Sequence, residues 1–172
     1  MIDIVKIVPD KLMLAYGKEF GFSSVIGSKN IVIKQGGSEQ QNRGNVSDKN
    51  VDILMNPELK SYKDKLHYRN SGLNHILAKI ATDNDVAIGF GFSYLLNSNN
   101  VERARIIGRM KQNVRICRKS KTKMVVCSYA SSPQEMRGAK DLLAFARVLG
   151  MTGGEAKKAL NWKRREKKVR EL

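Results

Sequence analysis

Two cysteines, Cys117 and Cys127, are too few for a disulfide scaffold or a four-cysteine zinc site. Both fall in apolar patterns and read as small buried hydrophobes. The two histidines, His67 and His75, stand in no H-x-H or H-E-x-x-H spacing, so a metal hydrolase lacks its ligands here. No G-x-S-x-G elbow is present for a serine nucleophile. Gly36-Gly37 and Gly89-x-Gly91 could turn N–H groups toward a phosphate. Neither is followed by the Gly-Lys-Ser/Thr of a P-loop, and a turn and a tightly packed strand are the better readings. Aromatic residues make up only 6%, with no RNP-type stretch, which excludes base stacking across a sheet face. The longest nearly apolar run, residues 86–96, has 11 residues with two glycines and a serine inside it, too short to span a bilayer. The first ten residues lack a signal-peptide layout. A cytoplasmic protein without a membrane anchor is expected.

What the chain has is positive charge. Its 172 residues, 41% apolar, are enough for one domain with a real core. The net charge is +16, which repels itself in a compact fold and suits a polyanionic partner better than a small neutral substrate. Residues 1–100 carry 12 Lys/Arg against 10 Asp/Glu, whereas residues 101–172 carry 20 against 6. That asymmetry is the footprint of nucleic-acid binding.

Hydrophobic periodicity gives alternating elements. Residues 2–8, 24–26, 31–34, 51–55, 86–90 and 123–127 read as strands, the fifth buried on both faces. Residues 10–20, 73–83, 101–121 and 141–149 read as helices, with a short one near 40–46 and a last one from Thr152 through Leu160. Residues 59–70 read as a loop. Ser71 is the expected cap of the 73–83 helix, with Ile76, Leu77 and Ile80 at helical spacing. Ser132-Pro133-Gln134-Glu135 and Thr152-Gly153-Gly154-Glu155 have the form of capping boxes. On the long helix Ile107, Met110, Val114 and Cys117 form the core stripe, with Arg105, Arg109 and Lys119 roughly opposite. Strands alternating with helices imply right-handed βαβ units, a parallel sheet and an α/β fold. Residues 1–160 form the domain and residues 161–172 a basic tail.

Four segments carry a resemblance: VDILMNPE (51–58), RNSGLNHILAKIATDNDVAIGF (69–90), RARIIGRMKQNVRICRKSKTKMVVCSYA (103–130), and Arg137 with Asp141-Leu142 and Leu149-Gly150-Met151. Over roughly residues 31–151 the chain resembles the archaeal thirty-kilodalton-type protein subunits of ribonuclease P, protein component 3. The resemblance implies a TIM-barrel-like fold, a PHP/metal-hydrolase-like barrel without the metal site. It also implies a noncatalytic role beside a catalytic RNA that removes the 5′ leader from precursor tRNA. A smaller second protein subunit would be the protein partner, and no cofactor would sit on the protein, since Mg²⁺ belongs to the RNA. Family members are usually longer. The chain is expected to enter the barrel near its third strand, leaving an incomplete barrel whose open edge a partner or self-association would cover. Gly89 stands where many relatives carry an acidic residue, and the tail has no counterpart.

Phosphate contact needs Arg or Lys on loops or exposed helix faces. Among positions matching the family's motifs, the expected RNA contacts are Arg43, Arg69, His75, Lys119, Arg137 and Lys157, gathered on the C-terminal face of the sheet. For each the competing reading is a solvated charge, and for His75 a neutral hydrogen-bonded residue near a helix start. The competing functions are a general RNA-binding protein and a metal-dependent phosphoesterase-like barrel. No catalytic or metal-binding residue is expected.

Overall fold

The computed structural model describes residues 1–27, 31–59, 63–64 and 66–164. In chain order the elements are β1 (Ile2–Ile4), α1 (Lys11–Glu19), β2 (Ser24–Ile26), β3 (Ile33–Gln35), α2 (Glu39–Ser47), β4 (Ile53–Met55), α3 (His75–Asp83), β5 (Ala87–Gly91), α4 (Ser93–Leu96), α5 (Asn100–Ser120), β6 (Met124–Cys127), a 3₁₀ turn (Pro133–Glu135), α6 (Ala139–Val148) and α7 (Gly153–Ala159). Local chemistry sets many of the boundaries. Asp10 caps α1 by accepting from Met13 N–H at 2.7 Å, and capping boxes start α2 at Ser38, α5 at Asn99 and α7 at Thr152.

Every strand pair is parallel. β3, β4, β5 and β6 form one sheet in that order, and β1 pairs with β2. Main-chain bonds from Tyr129 N–H to Ile4 O (3.0 Å) and from Lys6 N–H to Ala130 O (2.9 Å) join β1 to the chain leaving β6. The Asp3 carboxylate takes the N–H and hydroxyl of Ser128 at 2.7 and 2.6 Å. The strands therefore run around the molecule as β3-β4-β5-β6-β1-β2, and the opening lies between β2 and β3.

Alternation along the strands divides the core. Leu54, Ile88, Phe90 and Val126 face the helices. Ile4, Ile53, Met55, Ala87, Val125 and Cys127 face inward, joined by partly buried Ile26 and Ile33. Ile31, 4% exposed, belongs to that interior cluster. Six strands enclose a narrower space than eight, and β5 answers with Ala87 and Gly89 on its inner face. A Cβ at Gly89 would lie 2.7 Å from Met55 Sδ and 2.9 Å from Ile53 Cγ2, so any side chain here would displace its neighbours in the barrel interior.

Several local expectations change. The first strand is not at a free edge: β1 is bonded to the chain leaving β6 as well as to β2, and among the described residues β2 and β3 are not paired. Asn74, not Ser71, caps α3; Ser71 is buried and Ile76 is 52% exposed. Ser132 makes no side-chain cap bond, and Glu135 Oε2 accepts from Ser131 N–H instead. Arg109 is only 5% exposed, because the segment after β4 covers the face of α5 expected to meet water. Trp162 packs against the barrel interior and Arg164 pairs with buried Asp52 at 3.0 Å. The start of the tail thus contributes to the fold, and residues 165–172 lie outside the described residues.

Candidate nucleic-acid interface

The structure gathers four of the six expected contacts on one outer flank. A cleft of about 640 Å³ runs between the segment before α3 and the second half of α5; Arg69, His75 and Lys119 line it, with Gln112 and Tyr68. Arg43 lines a second cleft of about 420 Å³, which shares Glu39 and Asn74 with the first. Arg137 and Lys157 line neither. Arg137 donates to Gln134 O (3.0 Å) and Met136 O (2.7 Å), with its guanidinium 5.7 Å from the Phe92 ring centre. Lys157 is exposed on α7. The grouping is on the helical flank, not at the C-terminal ends of the strands. The reason is α5, whose 21 residues span about 30 Å and carry Lys119 back toward the strands' N-terminal side.

A buried polar network fixes this flank. Gln112 Nε2 donates to Arg69 O (2.8 Å) and Ser71 Oγ (3.0 Å). Asn113 Nδ2 donates to Ser71 O (3.0 Å) and Glu58 Oε2 (3.3 Å). Arg109 donates to Asp64 Oδ1 (2.9 Å) and Glu58 O (3.2 Å). Asn42 accepts from Gly37 N–H and donates to Pro57 O and Gly72 O, tying together the turns after β3 and β4. The Arg69 guanidinium lies on α5 where Gly108 has no side chain; a Cβ there would overlap it. Burial pushes the Glu58 carboxyl up to about 8, against the opposing pull of its own N–H, Asn113 and Arg109. At the far end of α5, Arg118 clamps Glu155 at 2.8 and 2.7 Å and holds that carboxyl down at about 2.

Sequence reasoning missed Asn42, Glu58, Arg109, Gln112 and Asn113. One signal was available: Arg109, Gln112 and Asn113 recur at three and four on α5, a polar stripe beside the core stripe. Among the described residues no group of three or more His, Cys, Asp or Glu could hold a metal ion, and no helix is long and apolar enough to cross a membrane.

Fold and site together define a basic, open βα-repeat barrel with Arg43, Arg69, His75 and Lys119 on an outer helical flank. The chain belongs to the family described as RNase P subunit p30, whose model matches residues 9–166. That match is wider than the 31–151 resemblance and reaches into the tail. The chain is 39% identical over 160 residues to ribonuclease P protein component 3 of Methanosarcina mazei, covering 93% of this chain and 61% of that protein. It is 33% identical over 119 residues to the protein of the same name from Methanocaldococcus jannaschii, covering 69% and 48%. The chain thus spans about three-fifths of the first and half of the second. A chain in a cryo-EM structure of archaeal ribonuclease P with mature tRNA shares the fold, with a TM-score of 0.72 at 23% identity over 92% of this chain and 86% of that one.

Proposed function

We propose that this chain is a noncatalytic protein subunit of ribonuclease P. It binds the catalytic RNA and, with a smaller second protein subunit, supports removal of the 5′ leader from precursor tRNA in the cytoplasm. The protein holds no cofactor of its own; the Mg²⁺ ions that serve hydrolysis sit on the RNA. The carrying observation is that a member of this family groups Arg43, Arg69, His75 and Lys119 on one flank. Arg and Lys side chains on a surface fixed by buried hydrogen bonds contact phosphates at little ordering cost, and His75 adds an imidazole beside them. Arg137 and Lys157 are more remote contacts in this reading. The free edges of β2 and β3 offer a place for the protein partner or for self-association.

Tagged protein recovered from its host should bring down ribonuclease P RNA and precursor-tRNA cleavage, and the purified protein alone should not cleave at any Mg²⁺ concentration. Recovery of neither the RNA nor the activity overturns the proposal. Binding of RNA without preference would favour a general RNA-binding protein, a reading that the charge of residues 101–172 supports. Leader cleavage by RNA-free protein, abolished by a point mutation in it, would establish a protein active site.

A further inference from the structure

Between β4 and α3, residues 66–70 form an exposed stretch that is anchored through Asp64, Arg69 and Asn70. Asp64 Oδ1 accepts from Arg109 Nε at 2.9 Å and from Asn70 N–H at 2.8 Å, which closes the segment on itself and onto α5. These bonds outweigh the effect of burial and hold the Asp64 carboxyl below its ordinary value. Arg69 is fixed twice, through its carbonyl by Gln112 and through its guanidinium on Gly108. Beyond these anchors Leu66 is 92% and Tyr68 62% exposed. The anchors serve the fold by pairing Arg109, but leaving two large apolar side chains in water gains the fold nothing. It does prepare a surface for contact.

Tyr68 lines the cleft beside Arg69, His75 and Lys119. Arg69 and Lys119 in the same cleft as one exposed ring favour a polyanion over an apolar protein surface. An exposed ring among phosphate-binding cations is the arrangement that holds unpaired nucleotides, whose base faces are free to stack. Resting on the RNA-subunit reading above, we infer that this cleft takes an unpaired stretch of RNA, with one base stacked on Tyr68 and the adjoining phosphates on Arg69 and Lys119. Paired segments keep their bases in their own stack and gain only the phosphate contacts. The cleft therefore selects a loop, bulge or end.

The test uses the full chain with two probes, single-stranded oligoadenylate and an RNA duplex with the same number of phosphates. Tyr68→Ala should weaken oligoadenylate binding by roughly five- to a hundredfold, the loss of one base–aromatic stack, and leave duplex binding within about twofold. Tyr68→Trp should bind like the parent, and its fluorescence above the Trp162 background should be quenched by oligoadenylate. Lys119→Ala should weaken both probes. Unchanged oligoadenylate binding by Tyr68→Ala, or equal loss for both probes, overturns the stacking site and leaves the subunit reading standing. A parent protein that binds neither probe overturns the stacking site, and the subunit reading falls with it only if the tagged protein also recovers no ribonuclease P RNA.

Discussion

Replacing Glu58 by Gln removes the one ionisable group in the flank network that is wholly out of water. Gln has the same shape and can still accept from Asn113 Nδ2. Glu58 carries a folded value of about 8 against an ordinary 4.5. The folded protein therefore binds this proton more tightly than the unfolded chain, and the associated stability is fully present below 4.5 and lost as pH rises through 8. At about 1.4 kcal/mol per pKa unit, the parent should lose roughly 2–3 kcal/mol relative to Glu58→Gln between pH 5 and 7, and on the order of 1 kcal/mol more by pH 8, then level off. Urea unfolding of both proteins across that range gives the difference directly. Asp3, which burial raises to about 6, titrates in both proteins and cancels. A difference independent of pH would refute the argument, since Glu58 would then carry the same protonation in both states. A difference that grows in the parent's favour with pH would mean that the Arg109 charge outweighs burial.

Trp162→Ala should lower stability by about 1–3 kcal/mol in denaturant unfolding, because the indole packs against the barrel interior; an unchanged midpoint would place it outside the fold. Lys119→Ala should reduce the slope of log K against log salt for RNA by about one without changing the melting temperature. Arg137→Ala should cost about 1 kcal/mol of stability, since its guanidinium donates twice to main-chain carbonyls and lies over Phe92; the reverse pattern would exchange the two roles. Truncation after residue 164 should keep the core folded and weaken binding to RNA of any sequence. Loss of discrimination for the cognate RNA with non-specific binding intact would make the tail a specific reader.

The sequence by itself determined the alternation of strands and helices, except for the short α4, and the α/β fold class. Strand and helix signals are local: the apolar run at 86–90, the Thr152 capping box and the core stripe on α5 depend on neighbours a few residues away. It also determined the charge asymmetry and the sparse supply of histidine and cysteine ligands, which composition alone contains. Arg69, His75 and Lys119 were legible as basic groups at element ends, but the cleft they share was not. Lys119 lies 50 residues beyond Arg69, and only the packing of α5 beside α3 brings them together. Arg109 shows the limit best: its helical phase puts it away from the core stripe, which reads as solvent until another segment covers it. Whether a helix face opposite the core meets water depends on contacts distant in sequence, such as Asp64 and Glu58 on Arg109. The position of the barrel's opening was fixed in the same way. Asp3 and Ser128 lie 125 residues apart, and their bonds place β1 beside β6 and so leave the opening between β2 and β3. No local pattern carries that information, because strand order is set by which edges pair after the chain has wrapped.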